Sequence, residues 1–128
     1  MDRVCHFEIP FSDKNRAGKF YTDVFGWQIN DVPGMPYSFV ITTPVDDQHH
    51  PKEAGGVNGG MCERGDQGSK SPVVVIESES CAQRVKDVEA AGGSVVMGPT
   101  QIADMGIYAQ VKDTEQNIIG LWQPLGQC

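Results

Sequence analysis

The sequence has few basic residues and no long apolar run. Its 128 residues include 10 Lys and Arg against 17 Asp and Glu, a net charge of −7 that the phosphates of nucleic acids would repel. Since no segment approaches the roughly 20 apolar residues of a membrane helix, a membrane span is not expected. The leader of a secretory signal is not seen either. We therefore expect a cytoplasmic protein whose partners are neither nucleic acids nor membranes.

Cysteine is sparse and has no metal-binding spacing. The four cysteines, at positions 5, 62, 81 and 128, form no CxxC pair and no zinc-ribbon pattern. Cys5 and Cys81 fall on predicted inward faces, where cysteine acts as a small hydrophobic residue. This usage favours a reducing compartment.

The composition is that of a globular chain, with 39% hydrophobic and 21% charged residues. Its length predicts a single domain over residues 1–128. The most informative segment is 4–27, where a strand ending at Pro10 is followed by a helix that starts at a Ser12 or Asp13 cap. The helix ends at Gly26, a residue suited to the left-handed position after a helix. One apolar stripe along the helix should bury itself against the strand: Ala17, Phe20, Tyr21, Val24 and Phe25.

Alternation along the first strand separates two faces. Phe7 and Ile9 point towards the helix, whereas His6 and Glu8 point to the opposite face, which this unit leaves uncovered. A histidine and a carboxylate two residues apart on such a face can contact the same ligand, as acid–base or hydrogen-bonding groups.

The opening pattern returns in the second half of the chain. A strand over 72–77 precedes a helix with a capping-box signal, Ser80 and Gln83, and Gly92–Gly93 ends that helix. Strands follow at 94–97, 106–112 and 117–123, with a turn predicted at 98–99. We therefore predict an α+β fold of two tandem βαβββ modules, approximately 4–62 and 72–123, whose free sheet faces line one cup.

A glycine-rich strand, GVNGGMC at 56–62, closes the first module. Glycine within a strand indicates close approach of a neighbouring backbone or side chain, or space left for a ligand. Both interpretations stay open at this point.

Three segments in this order and spacing carry a family resemblance: HFEIPFSDKNRAGKFYTDVFGW, VEAAGGSVV and AQVKDTEQNIIGLWQ. The sequence resembles the vicinal oxygen chelate superfamily, which includes glyoxalases, bleomycin-resistance proteins and extradiol dioxygenases. It is most similar to the glyoxalase-like branch with an HFEIP-type first strand. The resemblance implies the half-open, barrel-like cup of the glyoxalase/bleomycin resistance/dioxygenase fold, and a homodimer.

The resemblance also implies where a metal would bind. Metal-using members carry a histidine on the first strand, a glutamate on the fourth, a histidine on the fifth and a glutamate on the last. These positions fall here on His6, on the strand 57–62, on Val73 and on Gly120. Valine and glycine cannot ligate, and 57–62 has no carboxylate, so we expect no metal site and no cofactor. A divalent metal held by a site completed otherwise remains the alternative.

The expected site follows from the inward positions of the strands. His6 and Glu8 are the candidate catalytic residues, and the candidate ligand-binding residues are Val73, Val75, Tyr108, Gln110, Gly120 and Trp122. This mixture predicts binding of a small, partly apolar molecule without metal, as in the bleomycin-resistance branch. Two alternatives stay open: a glyoxalase-like lyase or isomerase, or a dioxygenase-like enzyme, that uses His6 and Glu8, and an interaction subunit whose cup is filled by packing.

Overall fold

The computed structural model describes residues 1–65 and 70–125. Within them, strand, helix and three strands follow one another twice, as the sequence predicts. The elements of the first half are β1 (Val4–Phe11), α1 (Lys14–Phe25), β2 (Gln28–Asp31), β3 (Tyr37–Ile41) and β4 (Gly59–Glu63). Those of the second half are β5 (Val73–Glu77), α2 (Cys81–Ala90), β6 (Ser94–Ile102), β7 (Gly106–Lys112) and β8 (Ile118–Pro124). Cys128 and parts of the predicted 64–71 loop and of the tail lie outside the described residues.

The chain groups into two compact units. The first unit is His6–Pro72, and the second combines Met1–Cys5 with the chain from Val73 onward. The single domain expected over residues 1–128 stays a prediction.

The first unit builds its sheet in the order β2, β3, β4, β1, with a parallel pair between β4 and β1 and antiparallel pairs elsewhere. Phe11, Val40 and Met61 are buried at its centre. The partly buried residues packed against them are Phe7, Ile9, Ala17, Trp27 and Ile29. Phe7 and Ile9 therefore lie on the face that α1 covers, as strand alternation predicts.

Helix α1 has the caps that the sequence predicts. The Asp13 side chain accepts a hydrogen bond of 3.0 Å from the backbone N–H of Arg16. Gly26 has φ 73° and donates its backbone N–H to the carbonyl of Thr22. Local sequence thus fixes both ends of this helix.

The prediction that the α1 stripe is buried is wrong. None of the α1 residues, all of which are described, is buried, and Phe20, Val24 and Phe25 are each more than half exposed. Of the stripe, Ala17 at its start packs against the core of the first unit, whereas Phe20, Val24 and Phe25 stay at the surface. The remaining aromatic rings pack on one another beside the sheet, with Tyr21 stacked on Trp27 at 5.0 Å.

The second unit repeats the arrangement in the order β5, β8, β7, β6, with β5 and β8 parallel and the other pairs antiparallel. Its helix covers a core of Cys81, Val85, Ala109, Val111 and Leu121, and Ile119 also packs there. Only half of the predicted capping box forms. The Ser80 hydroxyl accepts from the backbone of Gln83 at 3.1 Å, but the Gln83 side chain donates to Asp87 instead.

The turn predicted at 98–99 is also wrong, because Gly98 and Pro99 lie within β6. The pairing of β6 with β7 changes register between Val95 and Met97 and again between Met97 and Thr100. Since β6 is the outermost strand of its unit, a proline without an N–H is tolerated at such an irregularity.

Neither described helix has the length and apolarity needed to cross a membrane.

The left-handed residue after α1 gives a test of this local analysis. We expect Gly26→Ala to lower the free energy of unfolding by about 1 kcal/mol, because a Cβ is disfavoured at φ 73°. Urea unfolding followed by circular dichroism measures the change. The matched control is Gly98→Ala, where no heavy atom lies within 4 Å of the added Cβ. A cost at Gly26 no larger than at Gly98 would contradict the assigned cap.

Candidate functional site

His6 and Glu8 lie on the face of β1 opposite the α1 core, as predicted. The Glu8 side chain is buried at 9% exposure, and His6 is half-buried. Burial of two ionisable side chains normally destabilises a fold unless they have polar partners. Their partners therefore decide what this face can do.

Tyr37 on β3 is a partner of both side chains. Its hydroxyl oxygen lies 3.0 Å from His6 Nε2 and donates to Glu8 Oε2 at 3.4 Å. Strand β4 separates β3 from β1, so the tyrosine side chain crosses a whole strand to reach them. The hydroxyl can donate to the carboxylate while Nε2–H donates to it, or it can donate to an unprotonated Nε2.

Gly60 on β4 makes this crossing possible. It pairs with Glu8 on one side and with Phe39 on the other. A Cβ on Gly60 would be 1.7 Å from the Tyr37 hydroxyl and 2.1 Å from the ring carbon that carries it, so no side chain fits. Of the two interpretations of the glycine-rich strand, close approach of a neighbour is the one found at Gly60.

The same device occurs in the second unit. Gly120 on β8 pairs with Val75 and with Gln110, as Gly60 pairs with Glu8 and Phe39. A Cβ on Gly120 would be 2.9 Å from the hydroxyl of Tyr108. Tyr108 thus corresponds in register to Tyr37, and the repeat extends from element order to a matched tyrosine and glycine.

The eight predicted site residues divide between the units. His6 and Glu8 belong to the first unit, and the other six belong to the second. In the second unit Val73 and Val75 are buried on β5, and the Gln110 amide donates to the Tyr108 hydroxyl at 2.9 Å. Trp122, paired with Tyr108, lies over Gly106, where an added Cβ would be 2.5 Å from its ring. Val75, Tyr108, Gln110 and Gly120 are therefore brought together.

Burial determines the protonation state of the residues in the Tyr37–His6–Glu8 centre, the group of side chains that meet at the Tyr37 hydroxyl. Desolvation lowers the pKa of His6 from 6.5 to about 4, so its imidazole is neutral at pH 7. Cys62 on β4 is opposite Tyr37, and burial, with a smaller effect of the Glu8 charge, raises the pKa of its thiol to about 11. At neutral pH the centre offers a neutral imidazole and a neutral thiol, neither activated as a nucleophile.

The described residues do not fit the four-ligand metal centre that the resemblance implies. Gly60 and Gly120 occupy equivalent register positions on β4 and β8, and the Tyr37 side chain fills the space beside Gly60. His6 Nε2 already faces the Tyr37 hydroxyl. Within the described part of the chain, no three His, Cys, Asp or Glu residues come close enough together to hold a metal ion.

Sequence reasoning missed Tyr37. A signal existed, since glycine within a strand often marks a large side chain that passes over it. The sequence does not say which side chain passes, because that depends on the registers of three strands.

Comparison with known proteins gives one family model and a set of solved structures. The model for the bleomycin resistance protein-like N-terminal region matches residues 3–44. None of the curated proteins matches this sequence significantly.

Solved structures match over almost the whole chain at low identity. BH1468, a hypothetical protein of Bacillus halodurans C-125, is 14% identical over 99% of this chain and 97% of its own, with a TM-score of 0.64. Methylmalonyl-CoA epimerase in complex with methylmalonyl-CoA is 12% identical over 98% of this chain and 96% of its own, with a TM-score of 0.65. The Mycobacterium tuberculosis methylmalonyl-CoA epimerase is 13% identical over 94% of this chain and 87% of its own, with a TM-score of 0.60.

These matches confirm the resemblance to the vicinal oxygen chelate superfamily. They also confirm the fold class, α+β with two βαβββ modules of the glyoxalase/bleomycin resistance/dioxygenase type. At such low identity the solved structures speak for the fold alone.

The close approach at Gly60 predicts strong coupling with Tyr37. We expect Gly60→Ala to lower the free energy of unfolding by about 2 kcal/mol, because the added methyl displaces the tyrosine. In a Tyr37→Ala background the same change should cost less than about 0.5 kcal/mol. Urea unfolding of the four proteins measures the coupling, and Gly65→Ala, where an added Cβ meets open space, is the control. Additive effects would contradict the contact.

The lowered pKa of His6 predicts an acid-sensitive fold. Between pH 6.5 and 4 the unfolded chain binds a proton at His6 that the folded chain does not, so stability falls as the pH is lowered through this range. The stabilising difference is fully present above pH 6.5 and lost below pH 4. NMR titration of the His6 ring protons, assigned with His6→Gln, checks the pKa. A titration near pH 6.5, or a His6→Gln variant with an unchanged stability profile, would contradict the assignment.

Proposed function

We propose that the protein binds a small, partly apolar molecule at the Tyr37–His6–Glu8 centre, without a metal. The observation that carries the proposal is the Tyr37 hydroxyl, held between an imidazole and a carboxylate by the missing side chain of Gly60. The polar side chains of Tyr37, His6 and Glu8 meet at one point on a sheet face, and Gly60 leaves the space for the tyrosine. A fold that needed only stability would place apolar residues there.

The surroundings of the centre support a ligand of mixed character. Phe39 follows Tyr37 on the same face of β3, and its ring meets the tyrosine ring edge-on at 6.0 Å. Phe39 stays 38% exposed, so an apolar surface lies next to the polar groups. An aromatic wall with a few convergent polar groups is the usual composition of a small-molecule site.

The pKa of His6 favours binding over acid–base catalysis. A general base works best when its pKa is near the working pH, and an imidazole with a pKa of about 4 is a weak base at pH 7. The same neutral imidazole is well suited to give or accept one oriented hydrogen bond. Ligand binding is therefore the function we propose first, and the match of residues 3–44 to the bleomycin resistance protein-like family model agrees with it.

A metal-free lyase or isomerase is the second candidate. It is favoured by the position of the Tyr37 hydroxyl, which joins His6 to Glu8 in one path along which a proton can move. In this alternative a bound substrate would raise the pKa of His6 by supplying a charge or hydrogen bond that the free protein lacks.

We also propose that the protein works without a metal, as a homodimer and in the cytoplasm. The donor set described above supports metal-free binding, because Gly60 and Gly120 cannot ligate. A dioxygenase-like activity would need a metal site completed by other groups. The homodimer is supported by the family resemblance.

A ligand screen tests the proposal. Thermal unfolding is measured with a small-molecule library in the presence of EDTA, since a ligand of the folded state raises the melting temperature. Each hit is then titrated against Tyr37→Phe, which removes only the hydroxyl. We expect affinity to fall about fivefold, the effect of losing one hydrogen bond. Tyr21→Phe, which removes a hydroxyl on the α1 side, is the matched control.

Two results would contradict metal-free binding at this centre. One is a set of hits that bind Tyr37→Phe and Tyr21→Phe as tightly as the wild type. The other is a stoichiometric metal in the purified protein that is lost in His6→Ala.

A further inference from the structure

The side chain of Gln110 has a hydrogen-bonding atom without a partner among the described residues. Gln110 lies on β7 and is 7% exposed, and its amide nitrogen donates to the Tyr108 hydroxyl at 2.9 Å. Its carbonyl oxygen Oε1 is buried and accepts no hydrogen bond from any described residue. A buried acceptor left unpaired destabilises the folded state, so it calls for an explanation beyond packing.

We infer that Gln110 Oε1 is the acceptor of a second binding subsite, in the second unit, for an uncharged ligand group that donates a hydrogen bond. A primary amide or a hydroxyl has this chemistry. The inference rests on Gln110 and its own unit, and it does not depend on the Tyr37 centre.

The residues around Gln110 make the subsite largely apolar apart from the amide and the Tyr108 hydroxyl. Gln110 pairs with Gly120, and Gly120 pairs with Val75, whose side chain is 1% exposed. A Cβ on Gly120 would be 3.0 Å from Val75, so this position can carry no larger residue without a shift. Trp122, two residues further along β8, supplies an aromatic ring on the same face.

The internal repeat explains why the ligand group should be uncharged. In the first unit the hydroxyl of Tyr37 is hydrogen-bonded to two ionisable residues of β1, His6 and Glu8. The corresponding positions in the second unit follow from the register and from the 67-residue offset of the two strands: Val75 matches Glu8, and Val73 matches His6. The polar partner is instead the neutral amide of Gln110. An amide matches a neutral donor, whereas a cation would be left without a counter-charge there.

The experiment uses two probes of almost the same shape. Benzamide and acetophenone share a phenyl ring and a carbonyl group, but only benzamide has N–H donors. Each is titrated into the full-length protein, and binding is followed by NMR through the Gln110 side-chain amide and the Trp122 indole N–H. We expect saturable shifts with benzamide and about five- to tenfold weaker binding of acetophenone, the effect of one hydrogen bond.

Substitution of Gln110 gives the second test. Gln110→Met keeps the size of the side chain and removes the unpaired oxygen, together with the amide nitrogen that donates to Tyr108. It should weaken benzamide binding by a similar factor. Gln101→Met, at an exposed position of β6, is the matched control and should bind benzamide as the wild type does.

Three results would overturn the inference. They are equal binding of the two probes, unchanged benzamide affinity in Gln110→Met, and no saturable shift with benzamide. The Tyr37 centre is judged by Tyr37→Phe and this subsite by Gln110→Met, so each proposal can fail alone.

Discussion

The polar centre of the first unit depends on one steric constraint: Gly60 has no side chain. Only this allows the Tyr37 hydroxyl to pass over β4 and reach His6 and Glu8. The three side chains satisfy one another where each alone would be a costly group to bury. The protonation of His6 follows from this burial, because desolvation lowers its pKa to about 4 and leaves the imidazole neutral at pH 7. The identity of one residue therefore determines the chemistry of three others.

The features that local sequence encodes were predictable. Asp13 and Gly26 bound α1 because capping depends on a few neighbouring residues, and alternation along β1 placed His6 and Glu8 together on the face away from Phe7. The errors concern tertiary packing. The apolar stripe of α1 has the period of a buried face, but Ala17 packs against the core while Phe20, Val24 and Phe25 are more than half exposed. Periodicity indicates that a face is apolar without showing how the helix is rotated in the packed fold.

The candidate site was predictable in part for the same reason. His6 and Glu8 are neighbours on one strand, so their proximity follows from a period of two. Tyr37 reaches them across two strand pairings, and its place depends on the registers of β3 with β4 and of β4 with β1. The sequence contains the requirement, a glycine within a strand, but not the identity of the residue that uses it. The unpaired oxygen of Gln110 is equally invisible in the sequence, because whether a buried group finds a partner depends on the three-dimensional structure.

The position of Tyr37 over Gly60 also constrains the order in which this protein can evolve. A carboxylate cannot be introduced at Gly60 while Tyr37 keeps its position, since the Cβ of the new residue would lie 1.7 Å from the tyrosine hydroxyl. Tyr37 would first have to be replaced by a smaller residue, and the protein carrying that substitution would lose the hydrogen bonds to His6 and Glu8 before anything replaced them. Such a path passes through a less stable protein, which selection tends to remove. The first half of the repeat is thus held in its present chemistry by Gly60 and Tyr37, which can change only together.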